Sequence, residues 1–144
     1  MLDRLANFAA ASTTRVCRLL FETIVDWINQ NTRPQAVVLM CWDAREYRLQ
    51  RRTIIDPGRN RWEQLFAAGR ATPQEIAEHL RSQNVEYVLV NEGSLRYNVF
   101  VVPNVLVKKF DVFQQQRDLL VPSALQPVFE RKRVKVYRVA ERST

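Results

Sequence analysis

Residues 36–56 read AVVLMCWDAREYRLQRRTIID. The segment opens with an unbroken apolar run from Ala36 to Cys41, turns polar from Trp42 to Tyr47, and becomes apolar again at Thr53-Ile54-Ile55. A short apolar run bounded by Pro34 and polar residues predicts a strand buried on both faces. Asp43 is suited to cap a short helix over Ala44–Leu49, because its carboxylate accepts free amide hydrogens there. Thr53–Asp56 reads as a second short strand. In an α/β sheet, groups just past the carboxyl end of a strand lie at the crevice where ligands bind. That rule places a candidate site near Trp42, Asp43, Arg45 and Tyr47.

The flanking sequence supports a layered α/β domain. Upstream, Thr13–Gln30 predicts an amphipathic helix, with Val16, Leu20, Ile24 and Trp27 at intervals of three and four and Pro34 beyond its end. Residues 1–12 read as a weak helix or an arm. Downstream, Asp56-Pro57-Gly58 is a turn, and Trp62, Leu65 and Phe66 predict a short helix closed by Gly69. Thr72-Pro73-Gln74-Glu75 carries a cap, a proline at the first helical position and a capping-box glutamate, so it starts a helix ending near Gln83-Asn84. Val85–Asn91 is a second buried strand, which predicts a parallel pair with the first. Asn98–Val102 is apolar enough for a strand, and Pro103-Asn104 reads as its interruption. Lys108–Leu120 follows as a helix, with Phe110 and Phe113 inward. Leu125–Glu130 and Val134–Val139 then form a hairpin around Arg131-Lys132-Arg133, at an edge that suits Pro127. The expectation is a three-layer, Rossmann-like domain over residues 13–140, with a tail at 141–144. It has a short, mainly parallel sheet, helices on both faces and a C-terminal antiparallel hairpin.

Composition narrows the function classes. The 144 residues suffice for one domain with a sizeable core, and the net charge of +7 favours anionic neighbours such as nucleic acid, lipid headgroups or phosphorylated compounds. The two cysteines, Cys17 and Cys41, form no CxxC pair, and His79 is the sole histidine, so no metal site is expected. Buried thiols are the simplest reading of the cysteines; a disulfide between them requires an oxidising compartment. No apolar run has the length of a membrane span, and Met1-Leu2-Asp3-Arg4 does not open a signal peptide, so delivery outside the cytoplasm would need something upstream.

In order along the chain stand an amphipathic helix, a proline and AVVLMCWDAREYRLQRRTIIDP. RWEQLFAAG, a Thr-Pro helix, VEYVLVNEG and the closing VKVYRV follow. This order resembles the soluble C-terminal domain of polytopic membrane glycosyltransferases that use lipid-phosphate-linked sugars, the broad group related to protein mannosyltransferases and aminoarabinose transferases. Residues 44–51 stand where such chains carry an aromatic-containing polar segment, and Val85–Asn91 matches their apolar strand after the middle helix. The resemblance covers roughly residues 20–140. It implies a non-catalytic accessory domain on the extracytoplasmic face of a membrane, partnered by the membrane-embedded portion of a larger chain. Contact with anionic lipid or a lipid-linked donor or acceptor is a further implication. The family's catalytic carboxylates lie in loops of the membrane part, so no catalytic residue carries over.

Two readings of the polar segment stand side by side. Asp43, Arg45, Glu46 and Tyr47 form either a phosphate- or sugar-binding cluster, with Trp42 or Tyr47 stacking on a ring, or a helix cap and surface ion pair with the aromatics in the core. Arg45, Arg48, Arg51 and Arg52, with Arg59 and Arg61, form the densest basic region: a solvated face, or one drawn to anionic lipid or nucleic acid. The turn after the first strand has no glycine, which disfavours a dinucleotide or P-loop site, and no cofactor is expected. His79 reads as a surface residue. Asp43 and Asp56 are carboxylates that the end of the sheet could bring together. The alternatives to an accessory domain are a free-standing nucleic-acid-binding module and a small soluble enzyme or binder acting on a phosphorylated ligand. A chain encoded alone would be cytoplasmic.

Overall fold

A computed structural model of the chain describes residues 22–42, 49–55, 61–93, 95 and 103–142. Helix α1 covers residues 22–31. It is followed by strands β1 (Val37–Cys41) and β2 (Arg52–Ile54), helices α2 (Arg61–Leu65) and α3 (Pro73–Ser82), and strand β3 (Val85–Asn91). Helix α4 (Pro103–Leu120) and strands β4 (Leu125–Arg131) and β5 (Val134–Val139) complete the described chain.

The strands form one mixed sheet in the order β2-β1-β3-β5-β4. β1 pairs in parallel with both β2 and β3. β5 pairs antiparallel with β3 and with β4. The sheet is therefore as much antiparallel as parallel, where a mainly parallel one was expected. The reason lies in how the hairpin docks. Its second strand, β5, pairs with β3 and becomes an interior strand, which leaves β4 outermost. Pro127, which has no amide hydrogen to donate, sits on that edge strand beside a register shift between Pro127 and Phe129.

All five residues of β1 are buried, as the continuous apolar run requires. Val37, Leu39 and Cys41 join one apolar cluster with Trp62, Leu65, Ile76, Leu80, Phe113 and Leu120 of α2, α3 and α4. Val38 and Met40 join a second cluster with Ile24, Val25 and Ile28 of α1. Successive strand residues point to opposite faces, so this division follows from the pleat. The hairpin side of the second cluster is closed by Trp27, whose ring stacks on Phe129 with centroids 4.9 Å apart.

Local signals shaped several boundaries. Thr72 Oγ1 accepts from the Glu75 amide at 3.2 Å, while Glu75 Oε2 accepts from the amides of Thr72 (3.3 Å) and Ala71 (2.8 Å), completing the capping box of α3. The chain leaves α2 through Ala68 and Gly69, both at positive φ (56° and 74°). Pro103-Asn104 opens α4, which therefore starts before the expected Lys108, at a position where the missing proline N–H costs no helical bond. The second strand runs over Arg52–Ile54 rather than Thr53–Asp56. The arm 1–12, the first part of the Thr13–Gln30 helix, the capped helix at 44–49, the Asp56-Pro57-Gly58 turn and the Asn98–Val102 strand lie outside the described residues. Among the described residues, no helix is long and apolar enough to cross a membrane.

Candidate functional site

β1 and β3 end side by side, with Cys41 paired to Val90. Their carboxyl ends mark the place to which the sequence pointed, and Trp42 and Glu92 are the residues that follow them. Trp42 turns at φ 59° and is only 8% exposed. Its ring meets Phe113 edge-on, with centroids 5.1 Å apart, and lies 6.1 Å from Trp62. Trp62 packs edge-on against Phe113 at 5.0 Å and donates its Nε1 hydrogen to Gln116 Oε1 at 2.9 Å. Edge-to-face aromatic packing of this kind adds to the burial of the rings. Trp42 therefore belongs to the apolar core, and its ring is occupied by protein neighbours.

Glu92 directly follows β3. It is buried, and its Oε1 lies 3.0 Å from Arg117 Nη1 of α4 and 3.4 Å from Lys135 Nζ of β5. Its amide donates to the Arg133 carbonyl at 2.9 Å, which ties β3 to the hairpin turn. Burial works against the charge of Arg117, but the hydrogen bond to Glu92 and the charges of Glu92 and Asp118 prevail, so its pKa is raised. The guanidinium also lies over the Phe113 ring, 5.7 Å from its centroid. Burial pushes the Tyr137 hydroxyl up to about 12, helped by the negative charge of Glu92. A carboxylate held by two cations is fixed as an acceptor. Its geometry suits it to bind α4 and the hairpin to the end of β3.

The other candidates are dispersed. Arg51 lies at the carboxyl end of α1. Its Nη2 donates to the Asn29 and Thr32 carbonyls at 2.7 Å each, its Nε to Thr32 Oγ1 at 2.9 Å, and its Nη1 to the Gln50 carbonyl at 2.7 Å. A guanidinium so placed satisfies the last carbonyls of the helix and complements its dipole. Arg52 is exposed at the start of β2. Arg61 donates from Nε to the Ile55 carbonyl at 3.1 Å. Asp43, Arg45, Glu46, Tyr47, Arg48, Asp56 and Arg59 lie outside the described residues. His79 is half-buried, and burial followed by the charge of Arg70 lowers its pKa. Cys41 is a buried thiol, and Cys17 lies outside the described residues. Among the described residues, no group of three His, Cys, Asp or Glu side chains is placed to hold a metal ion.

Glu92, Arg117 and Lys135 were not singled out from the sequence. The strand-end rule that selected Trp42 after β1 also selects Glu92 after β3, and that signal was present. Nothing local to Arg117 or Lys135 marks them as its partners.

These elements define a mixed α/β domain. A solved structure of similar fold is the C-terminal globular domain of an oligosaccharyltransferase from Archaeoglobus fulgidus, with a TM-score of 0.57 and 14% sequence identity. The match covers 84% of this chain and 97% of that one. No protein-family model matches the chain, and no curated protein sequence matches it. The likeness is one of fold. It falls on a domain of a glycosyl-transferring enzyme, the broad class that the sequence resembles, and lends no support to the narrower mannosyltransferase and aminoarabinose transferase grouping.

Proposed function

We propose that this chain is the soluble, non-catalytic accessory domain of a membrane-embedded glycosyltransferase. The carrying observation is the fold match, which takes in 97% of the oligosaccharyltransferase C-terminal globular domain and 84% of this chain. The correspondence is thus with a whole domain rather than a shared substructure. The order of sequence segments supports the same reading independently. In it, the domain sits on the extracytoplasmic membrane surface and its +7 charge faces lipid phosphates. The polar segment that follows β1 in sequence, with Asp43, Arg45, Tyr47 and Arg48, is the part that meets the lipid-linked donor or the acceptor in this reading. The nucleic-acid and small-enzyme readings rest on charge and on the polar segment, and neither gains a further structural observation.

The test is the reading frame upstream of Met1 in the source genome. Several continuous apolar segments of about 20 residues each are expected there. A stop codon in that frame, with an independent promoter, overturns the proposal.

A further inference from the structure

At the opposite pole of the sheet, where β3 begins and β5 ends, lies a cleft of about 490 Å³. Its walls carry three arginines, Arg33, Arg81 and Arg138, and two glutamates, Glu86 and Glu141. Each arginine comes from a different part of the fold: the α1–β1 connection, the last turn of α3, and β5. The cleft is of the size that holds small ligands.

The arginines differ in how they are held. Arg33 pairs with Glu86, and Arg138 Nη2 lies 2.6 Å from Glu141 Oε1. The Arg33 and Arg138 side chains are 64% and 49% accessible, and of their partners Glu141 is exposed and Glu86 half-buried. Exposed pairs of this kind contribute little and are readily exchanged. Arg81 is anchored differently, through Nη1 to the Ala140 carbonyl. Its Nε is buried and has no acceptor among the described residues. Leaving a buried donor unmet is costly, more so on a charged group. An oxyanion in the cleft would meet the part of Arg81 that lines it and compete with Glu86 and Glu141 for Arg33 and Arg138. The planar guanidinium fork matches two oxygens of a tetrahedral phosphate at once.

We propose that this cleft is a binding site for a phosphate monoester or diester, with Arg81 as the anchored ligand and Arg33 and Arg138 as the exchangeable ones. The site lies at the other end of β3 from Glu92, and it does not depend on the glycosyltransferase reading.

The test is a backbone NMR titration of the ¹⁵N-labelled chain with inorganic phosphate against chloride at matched ionic strength. Saturable shifts are expected at residues 33, 81, 85–87 and 138–141. Arg138→Gln, an exposed position on the rim, is expected to weaken binding about tenfold, the weight of one charge-assisted contact. Arg81→Gln is expected to abolish binding while the amide spectrum elsewhere stays that of the folded chain. If Arg81→Gln disturbs the fold, Arg33→Gln with Arg138→Gln serves in its place. Two further arms identify the source of the phosphate. Saturation by glycerol phosphate at the concentrations effective for inorganic phosphate marks a soluble ligand. About tenfold tighter binding to phosphatidylglycerol bicelles, lost in Arg138→Gln, marks a headgroup. Shifts scattered over the basic surface, or titrations unchanged by the arginine variants, overturn the proposal.

Discussion

Arg117 reaches from α4 to place its Nη1 3.0 Å from Glu92 Oε1, a carboxylate only 5% exposed at the end of β3. Lys135 of β5 approaches the same oxygen at 3.4 Å. Removing one partner of a buried pair costs more than the pair contributes, because a desolvated charge stays behind. Arg117→Met removes the guanidinium from Glu92 and from the Phe113 face, and leaves Lys135 as the one cation on Glu92 among the described residues. It is expected to destabilise the fold by about 2–3 kcal/mol in urea denaturation. Adding Glu92→Gln should recover part of that loss, with a coupling of at least about 1 kcal/mol in the double-mutant cycle. Additive single effects would show that the contact is incidental.

Tyr137 gives this end of the sheet a dependence on alkaline pH. Burial, followed by the charge of Glu92, raises its folded pKa from 10.0 to about 12. The folded state therefore holds a proton that the unfolded state releases first. The corresponding stability is fully present below pH 10 and is lost as pH rises from 10 towards 12. The loss is expected to be about 2 kcal/mol. Tyr137→Phe should lack this component, so its denaturation midpoint should fall less steeply than wild type over that range.

Arg51 closes the carboxyl end of α1 through the Asn29 and Thr32 carbonyls. Arg51→Ala is expected to cost about 1–2 kcal/mol, with faster amide exchange over residues 28–32. Arg51→Lys should restore less than half, since an ammonium cannot reproduce the planar fork. Full restoration of wild-type stability by lysine would show that the fork geometry contributes nothing.

Lys132 sits in the two-residue hairpin turn between Arg131 and Val134 at φ 53°, a left-handed conformation that strains a side chain. Lys132→Gly removes that strain and adds some unfolded-state freedom. A net gain of about 0.5 kcal/mol is expected in thermal denaturation. A loss would mean that the lysine side chain holds the turn.

Much of the fold could be read from local sequence because its causes are local. The capping box at Thr72 and Glu75 closes within four residues. β1 was evident because burial on both faces leaves no polar position in the strand. The turn at Lys132-Arg133 follows from two alternating segments separated by a charged pair. The start of α4 was placed at Lys108 instead of Pro103 for a local reason as well: proline ends a strand and begins a helix equally well, and only the following turns distinguish the two.

The candidate site was less legible. Trp42 was correctly placed at the end of β1, but whether its ring faced a ligand or the core depended on Phe113 and Trp62, which arrive on other helices. Arg51 belonged to a basic run in sequence, yet its guanidinium is committed to carbonyls about twenty residues earlier.

By itself, the sequence determined which segments are helix or strand, where several of them start and stop, and that the domain is basic. These follow from apolar periodicity, capping and turn chemistry, which act over a few residues. Only the tertiary structure decided that β5 would join β3 and make the sheet mixed. It also brought Arg117 and Lys135 to one buried carboxylate, and gathered Arg33, Arg81 and Arg138 around a cleft. The physical reason is that strand pairing and charge pairing depend on distances that the chain sets only after it has closed long loops, and no local pattern encodes which distant partner arrives.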